Sequence, residues 1–147
     1  GIQTVQRIIV ATDGSSGANR AVDTAATLAI KTSGADLVIL TIGGNITGAE
    51  LRELAGASGD LSKTLQEAAN RVLGQARKRA LRIGVRTVKL QTGWGDPAET
   101  IIDTVRRGKA DMLVVGRRGR GRLSGLLLGS VSQKLATLAP CVVVIVP

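Results

Sequence analysis

Residues 7–34 read RIIVATDGSSGANRAVDTAATLAIKTSG, and a change of hydrophobic period within them decides the fold class. Arg7 to Ala11 is a short, β-branched apolar run of the kind a buried strand needs, and Thr12-Asp13-Gly14-Ser15 closes it with turn-forming residues. From Ser16 the period becomes helical: Ala18, Ala21, Val22, Ala25, Leu28 and Ala29 recur on one face, and Gly34 supplies the stop. A strand that runs straight into a helix is the unit of a parallel sheet, because parallel neighbours need a crossover between them.

The same alternation continues outward. Leu37 to Ile42 reads as a second strand, followed by a Gly- and Ala-containing connection, Gly43 to Gly59, with a helical turn over Ala49 to Leu54. A long amphipathic helix starts near Asp60, setting Leu61, Leu65, Ala69, Val72, Ala76 and Ala80 on one face and Arg71, Arg77, Lys78 and Arg82 toward solvent, until Gly84. Arg86 to Gln91 alternates apolar and polar residues, as a strand at a sheet edge does. Asp96-Pro97-Ala98-Glu99 starts a helix that reaches Arg107, with an acidic cap, proline at the first helical position and glutamate at the third. Met112 to Val115 is a buried strand. Ser130-Val131-Ser132-Gln133 has the capping-box pattern and opens a helix to about Leu138, which Pro140 ends. The uncharged run Cys141 to Val146 is the last strand. Five strands and four helices in this order predict an α/β fold, a doubly wound, mostly parallel sheet with helices on both faces, over one domain spanning residues 1–147.

Composition removes whole classes of chemistry. With no histidine and one cysteine, Cys141, the chain cannot build the usual zinc sites, a histidine-based nucleophilic triad or an intrachain disulfide. The net charge of +9 favours anionic partners. Single-stranded nucleic acid is disfavoured among them, because it is held by stacking on aromatic rings and Trp94 is the only aromatic residue present. Arg77-Lys78-Arg79 and Arg106-Arg107 read most simply as solvated helix faces. No apolar run approaches the roughly 18 residues of a membrane span, and the N-terminal stretch lacks a secretory pattern, so a soluble, cytoplasmic protein without membrane insertion is expected.

In doubly wound sheets ligands collect beyond the carboxyl ends of the strands, which directs attention to the loops at Asp13 and Gly116. The second runs Gly116-Arg117-Arg118-Gly119-Arg120-Gly121-Arg122-Leu123-Ser124-Gly125-Leu126-Leu127-Leu128-Gly129-Ser130. Glycines let backbone N–H groups approach an anion, the following helix adds its open N–H groups, and arginines pair with phosphate oxygens. Ser130 suits either a helix cap or a hydroxyl for phosphate. Asp13 suits either a ribose acceptor or a residue that closes its turn and caps the helix from Ser16. The plain alternative is a basic surface loop. The phosphate loop GxxxxGK[ST] is absent.

The spacing Gly116, two residues, Gly119, nine residues, Gly129-Ser130 resembles the ATP-binding signature of the universal stress protein family. The likeness extends over nearly the whole chain: a first strand ending in Thr12-Asp13-Gly14-Ser15, Gly95-Asp96-Pro97 before a helix, and a short apolar terminal strand. It implies a Rossmann-like fold of the adenine nucleotide alpha hydrolase type. It also implies a site for ATP accompanied by magnesium, in which Ala11, Thr12, Asp13 and Ile42 hold the adenosine end. Gly116, Arg118, Gly119, Gly129, Ser130, Val131 and Ser132 then lie along the phosphates, with Val115 at the base. A homodimer through Cys141 to Val146 is implied as well. The family often has a small residue where this chain has Arg117. Relatives that transfer nucleotidyl groups use histidine motifs that are missing here, so no catalytic or metal-ligating residue is assigned, and a stress or regulatory module with slow or no hydrolysis is expected. The alternatives are a magnesium-dependent ATPase or phosphotransferase using Asp13, and a basic module for nucleic acid or a protein partner.

Overall fold

The computed structural model describes residues 5–44, 48–57, 59–117 and 129–147. Their strands are β1 (Arg7–Ala11), β2 (Asp36–Gly44), β3 (Val88–Trp94), β4 (Met112–Gly116) and β5 (Val142–Val146). Their helices are α1 (Ser16–Lys31), α2 (Gly48–Ala57), α3 (Gly59–Ile83), α4 (Pro97–Gly108) and α5 (Ser130–Leu138). The strands form one sheet in the order β3-β2-β1-β4-β5, and every pairing is parallel rather than mostly so. The chain steps outward from β1 to β3, returns to β4 on the other side of β1, and steps outward again to β5. Strand order therefore reverses between β1 and β4, where the carboxyl ends of neighbouring strands send their chains apart.

Strand alternation divides the core in two. Ile8, Val10, Leu37, Ile39 and Val114 pack under α1 and α3 with Ala21, Val22, Ala25, Leu73, Ala76 and Ala80. Ile9, Val38, Leu40, Leu113 and Val115 pack under α4 and α5 with Ala98, Ile101, Val105 and Leu135. The small residues on the inner face of α1 bring that helix close to the sheet, and Asp23 on the same helix makes a two-pronged pair with Arg79 of α3, at 2.9 and 2.7 Å. The Asp23 hydrogen bond raises the already high pKa of Arg79. Both partners are more than a third exposed, so the pair aligns the helices more than it stabilises them.

Several elements differ from the sequence expectation. The turn expected over Ala49 to Leu54 is a helix over Gly48–Ala57, stabilised where it lies against α3. Strand β3 is displaced from Arg86–Gln91 to Val88–Trp94, because its pairing with β2 continues past the alternating stretch to Gly44. Trp94 thus ends a strand instead of occupying a turn. On α3, Leu61 is 49% exposed while Ser62 and Leu73 are buried, so the inner face starts one position later than the apolar pattern suggested. The edge position of β3, the Asp96 cap, which accepts the Glu99 N–H at 3.0 Å, and Pro97 in the first turn of α4 agree with it.

Candidate functional site

The carboxyl ends of β1 and β4 open into a cavity of about 370 Å³. Ala11, Leu40, Ile42 and Val115 give it apolar strand ends, and Pro97 and Ile101 of α4 form an apolar side. Thr12, Asp13 and Ala18 enter from the first strand-to-helix connection, and Gly116, Arg117 and residues 129–132 enter from the last. The structure thus brings together Ala11, Thr12, Asp13, Ile42, Val115, Gly116, Gly129, Ser130, Val131 and Ser132 from the sequence-predicted set. Arg118 and Gly119, also in that set, lie outside the described residues.

The turn after β1 is held by its own short side chains. The Thr12 N–H donates to the Leu40 carbonyl at 2.9 Å, and the Thr41 hydroxyl donates to the Thr12 carbonyl at 2.7 Å, which fixes the end of β1 against β2. Gly14, at φ +82°, donates its N–H to Thr12 Oγ1, and the Ser15 N–H donates to Asp13 Oδ1 at 2.9 Å. Asp13 therefore closes the turn, as one of its two readings held. The α1 cap expected of it belongs to Ser15, whose hydroxyl accepts the Ala18 N–H at 3.2 Å. Ser15 wins because the accepting residue must lie immediately before the first helical residue.

On the other wall the backbone of Arg117 is a junction. Its N–H donates to the Val146 carbonyl at 2.8 Å, extending the β4–β5 ladder. Its carbonyl accepts both the Gly129 N–H at 2.9 Å and the Ser132 hydroxyl at 2.7 Å. Residues 117 and 129 are thereby tied together at the base of the intervening segment. The tie also sets the start of α5: Gly129 is the N-cap without a side-chain cap, and the Gln133 N–H goes to the Gly129 carbonyl at 3.0 Å. The capping box expected from Ser130 to Gln133 does not form, because the chain enters the helix one residue earlier. With the Gly129 N–H engaged by Arg117, the N–H groups of Ser130, Val131 and Ser132 are the helix-end donors without an acceptor inside α5. They carry the positive end of the helix dipole to the cavity wall.

Asp13 and Arg117 are the charged side chains among the described lining residues, one following each of the two strands at the switch point. Among the described residues no group of three or more carboxylate, cysteine or histidine side chains comes together. Cys141, beside the core under α4 and α5, lies just before β5 and not inside it; burial, with a smaller contribution from Asp111, pushes its thiol pKa up. Ala18, Leu40, Gly44, Pro97, Ile101 and Arg117 line the cavity without having been assigned to the site in sequence. Only Arg117 stood inside the glycine-rich pattern. The others reach the cavity through the crossing of elements distant in the chain, for which a single sequence holds no local signal.

The profile of the universal stress protein family matches residues 4–147 of the chain. A universal stress protein of Mycobacterium tuberculosis is 33% identical over 141 residues, covering 95% of this chain and 94% of that relative. A crystal structure of a universal stress protein in complex with cAMP is 29% identical, with a TM-score of 0.74 and 98% of each chain covered. The universal stress protein UspA from Lactobacillus plantarum has a TM-score of 0.83 at 22% identity, covering 99% of this chain and 100% of that one, a likeness of fold.

Proposed function

Because the chain belongs to the universal stress protein family, we propose that it binds an adenine nucleotide in the switch-point cavity. In this reading it is a cytoplasmic, nucleotide-dependent stress or regulatory module, with ATP and its magnesium ion as the foremost ligand. The observation that carries the reading is the open N-terminus of α5 at the wall of a cavity whose strand ends are apolar. The similar protein that holds cAMP supports it, since that ligand is also an adenine nucleotide.

The residues present fit such a ligand. Ala11, Leu40, Ile42 and Val115 offer the apolar surface that a purine requires. Asp13, at the end of β1, has acceptor oxygens for ribose hydroxyls. The N–H groups of Ser130, Val131 and Ser132 suit phosphate oxygens, while Gly129 serves by closing the neck to Arg117. Arg118 and Gly119 belong to the same phosphate side in the sequence reading. Magnesium would be held chiefly by phosphates and water, because Asp13 is the carboxylate among the described lining residues. What the bound nucleotide supplies is charge and shape at the exit of β4, from which a partner could read the loaded state.

The uncharged edge strand β5 supports a homodimer: Val142 is 59% exposed, and a second copy pairing along this edge would cover it. The nucleotide reading is tested by titration calorimetry with AMP, cAMP and ATP plus magnesium, alongside absorbance of the supernatant from denatured protein. Saturable binding with one ligand per chain is expected. No binding of any adenine nucleotide, in protein that melts cooperatively, would remove the reading.

A further inference from the structure

The side chain of Arg117 is left unexplained by the fold. Its backbone is fixed by the bonds to Val146, Gly129 and Ser132, so the side chain leaves from a rigid point on the cavity wall. The residue is half-buried, and its Nε–H is buried and meets no acceptor among the described residues. A guanidinium keeps its charge at every physiological pH, and a buried donor of that kind without an acceptor carries the full cost of its lost hydration. Buried donors in folded proteins are nearly all satisfied, so an exception points to an acceptor that arrives with a ligand.

What that acceptor is follows from its surroundings. Because Gly129 and Ser132 are bonded to the Arg117 carbonyl at 2.9 and 2.7 Å, the open first turn of α5 is tethered beside Arg117. An anion with several oxygens can serve the guanidinium and the helix N–H groups together and balance their positive charge, which a neutral ligand cannot do. We propose that Arg117 is the residue by which this cavity selects ligands carrying a phosphate, its orphan Nε–H being completed by an oxygen of the phosphate nearest the nucleoside. The inference rests on the nucleotide reading and adds to it the residue that sets the charge preference. That phosphate is common to mono- and triphosphates, so the preference holds for one phosphate as for three: AMP and ATP depend on Arg117 alike, and adenosine does not.

The test compares wild type, Arg117→Gln and Arg117→Lys by calorimetry with adenosine, AMP and magnesium ATP, and by thermal melting without ligand. Arg117→Gln is expected to weaken AMP and ATP about ten- to hundredfold, the range for losing a charge-assisted hydrogen bond, and to leave adenosine unchanged. Arg117→Lys keeps the charge but lacks the Nε–H, and recovers only part of the loss. Without ligand, neither variant melts below wild type, because the donor removed had no partner. Wild-type affinity for AMP and ATP in both variants overturns the inference while leaving the nucleotide reading intact. An equal loss for adenosine overturns it too, by making Arg117 a general support of the cavity. A wild-type protein that binds none of the three ligands removes the nucleotide reading and the inference together.

Discussion

The end of β4 rests on the backbone of α1 at one point: a Cβ added to Gly116 would stand 3.1 Å from the carbonyl oxygen of Gly17. Both contacting groups are main chain, so neither moves aside as a flexible side chain would. Gly116 therefore has a packing role beside any role toward a ligand. Gly116→Val is expected to cost about 1–3 kcal/mol, the usual range for overpacking, and to lower the melting temperature by roughly 2–4 °C for each kcal/mol. Thermal unfolding checks this, and an unchanged midpoint would show that β4 and α1 separate freely.

A second close approach gives an optical readout. A Cβ at Gly43 would come within 2.5 Å of Cη2 of Trp94, so the indole ring lies flat against a strand position that only glycine leaves open. Gly43→Ala must displace the ring. Since Trp94 is the only tryptophan, a shift in intrinsic emission reports the displacement directly. An identical spectrum and midpoint would contradict the packing.

Ser132 is 4% exposed, and its hydroxyl donates to the Arg117 carbonyl at 2.7 Å and approaches the Gly129 carbonyl at 3.0 Å. Ser132→Ala removes that donor but leaves the Gly129 N–H on the same carbonyl. The expected loss is about 1 kcal/mol of stability, read by urea unfolding, with a fall in nucleotide affinity as the helix end loosens. Stability that falls while affinity holds would separate the neck from the site.

The proposed dimer is best tested at Val142, which is exposed, because Val143 packs against the core under α4 and α5. A lysine on the β5 edge would meet its own copy across a two-fold axis. Light scattering should show a dimer for wild type and a monomer, or a much weaker dimer, for Val142→Lys. A monomeric wild type at micromolar concentration would dispose of the interface.

For Cys141, burial favours the neutral thiol, so its pKa lies above that of an ordinary cysteine. The sign follows: at neutral pH less thiolate is present than in a free thiol, and the thiolate is the nucleophile. Alkylation of the native protein should be slower than that of the urea-unfolded chain and should speed up as pH rises. Faster labelling of the native form would reverse the assignment.

Local pattern alone determined much of this molecule. The change of period after Ser15, the small residues on the inner face of α1 and the Asp96-Pro97-Glu99 start of α4 are short-range features, so one sequence suffices to read them. Strand order was not read from the sequence; only the alternation that demands crossovers was. Gly116 and Gly129 of the glycine pattern line the cavity, and at Gly116 the close approach to the Gly17 backbone leaves a trace in residue type. Tertiary structure decided the rest. Alternation cannot say how far β3 follows β2, and an apolar stripe cannot say that Ser62 faces inward while Leu61 does not, since both depend on what lies opposite. The start of α5 turned on the carbonyl of Arg117, far back along the chain from Ser132, which holds Gly129 as the cap in place of Ser130. A hydrogen bond between distant residues shifts a helix end by one position at little local cost, and only the folded chain brings its two ends together.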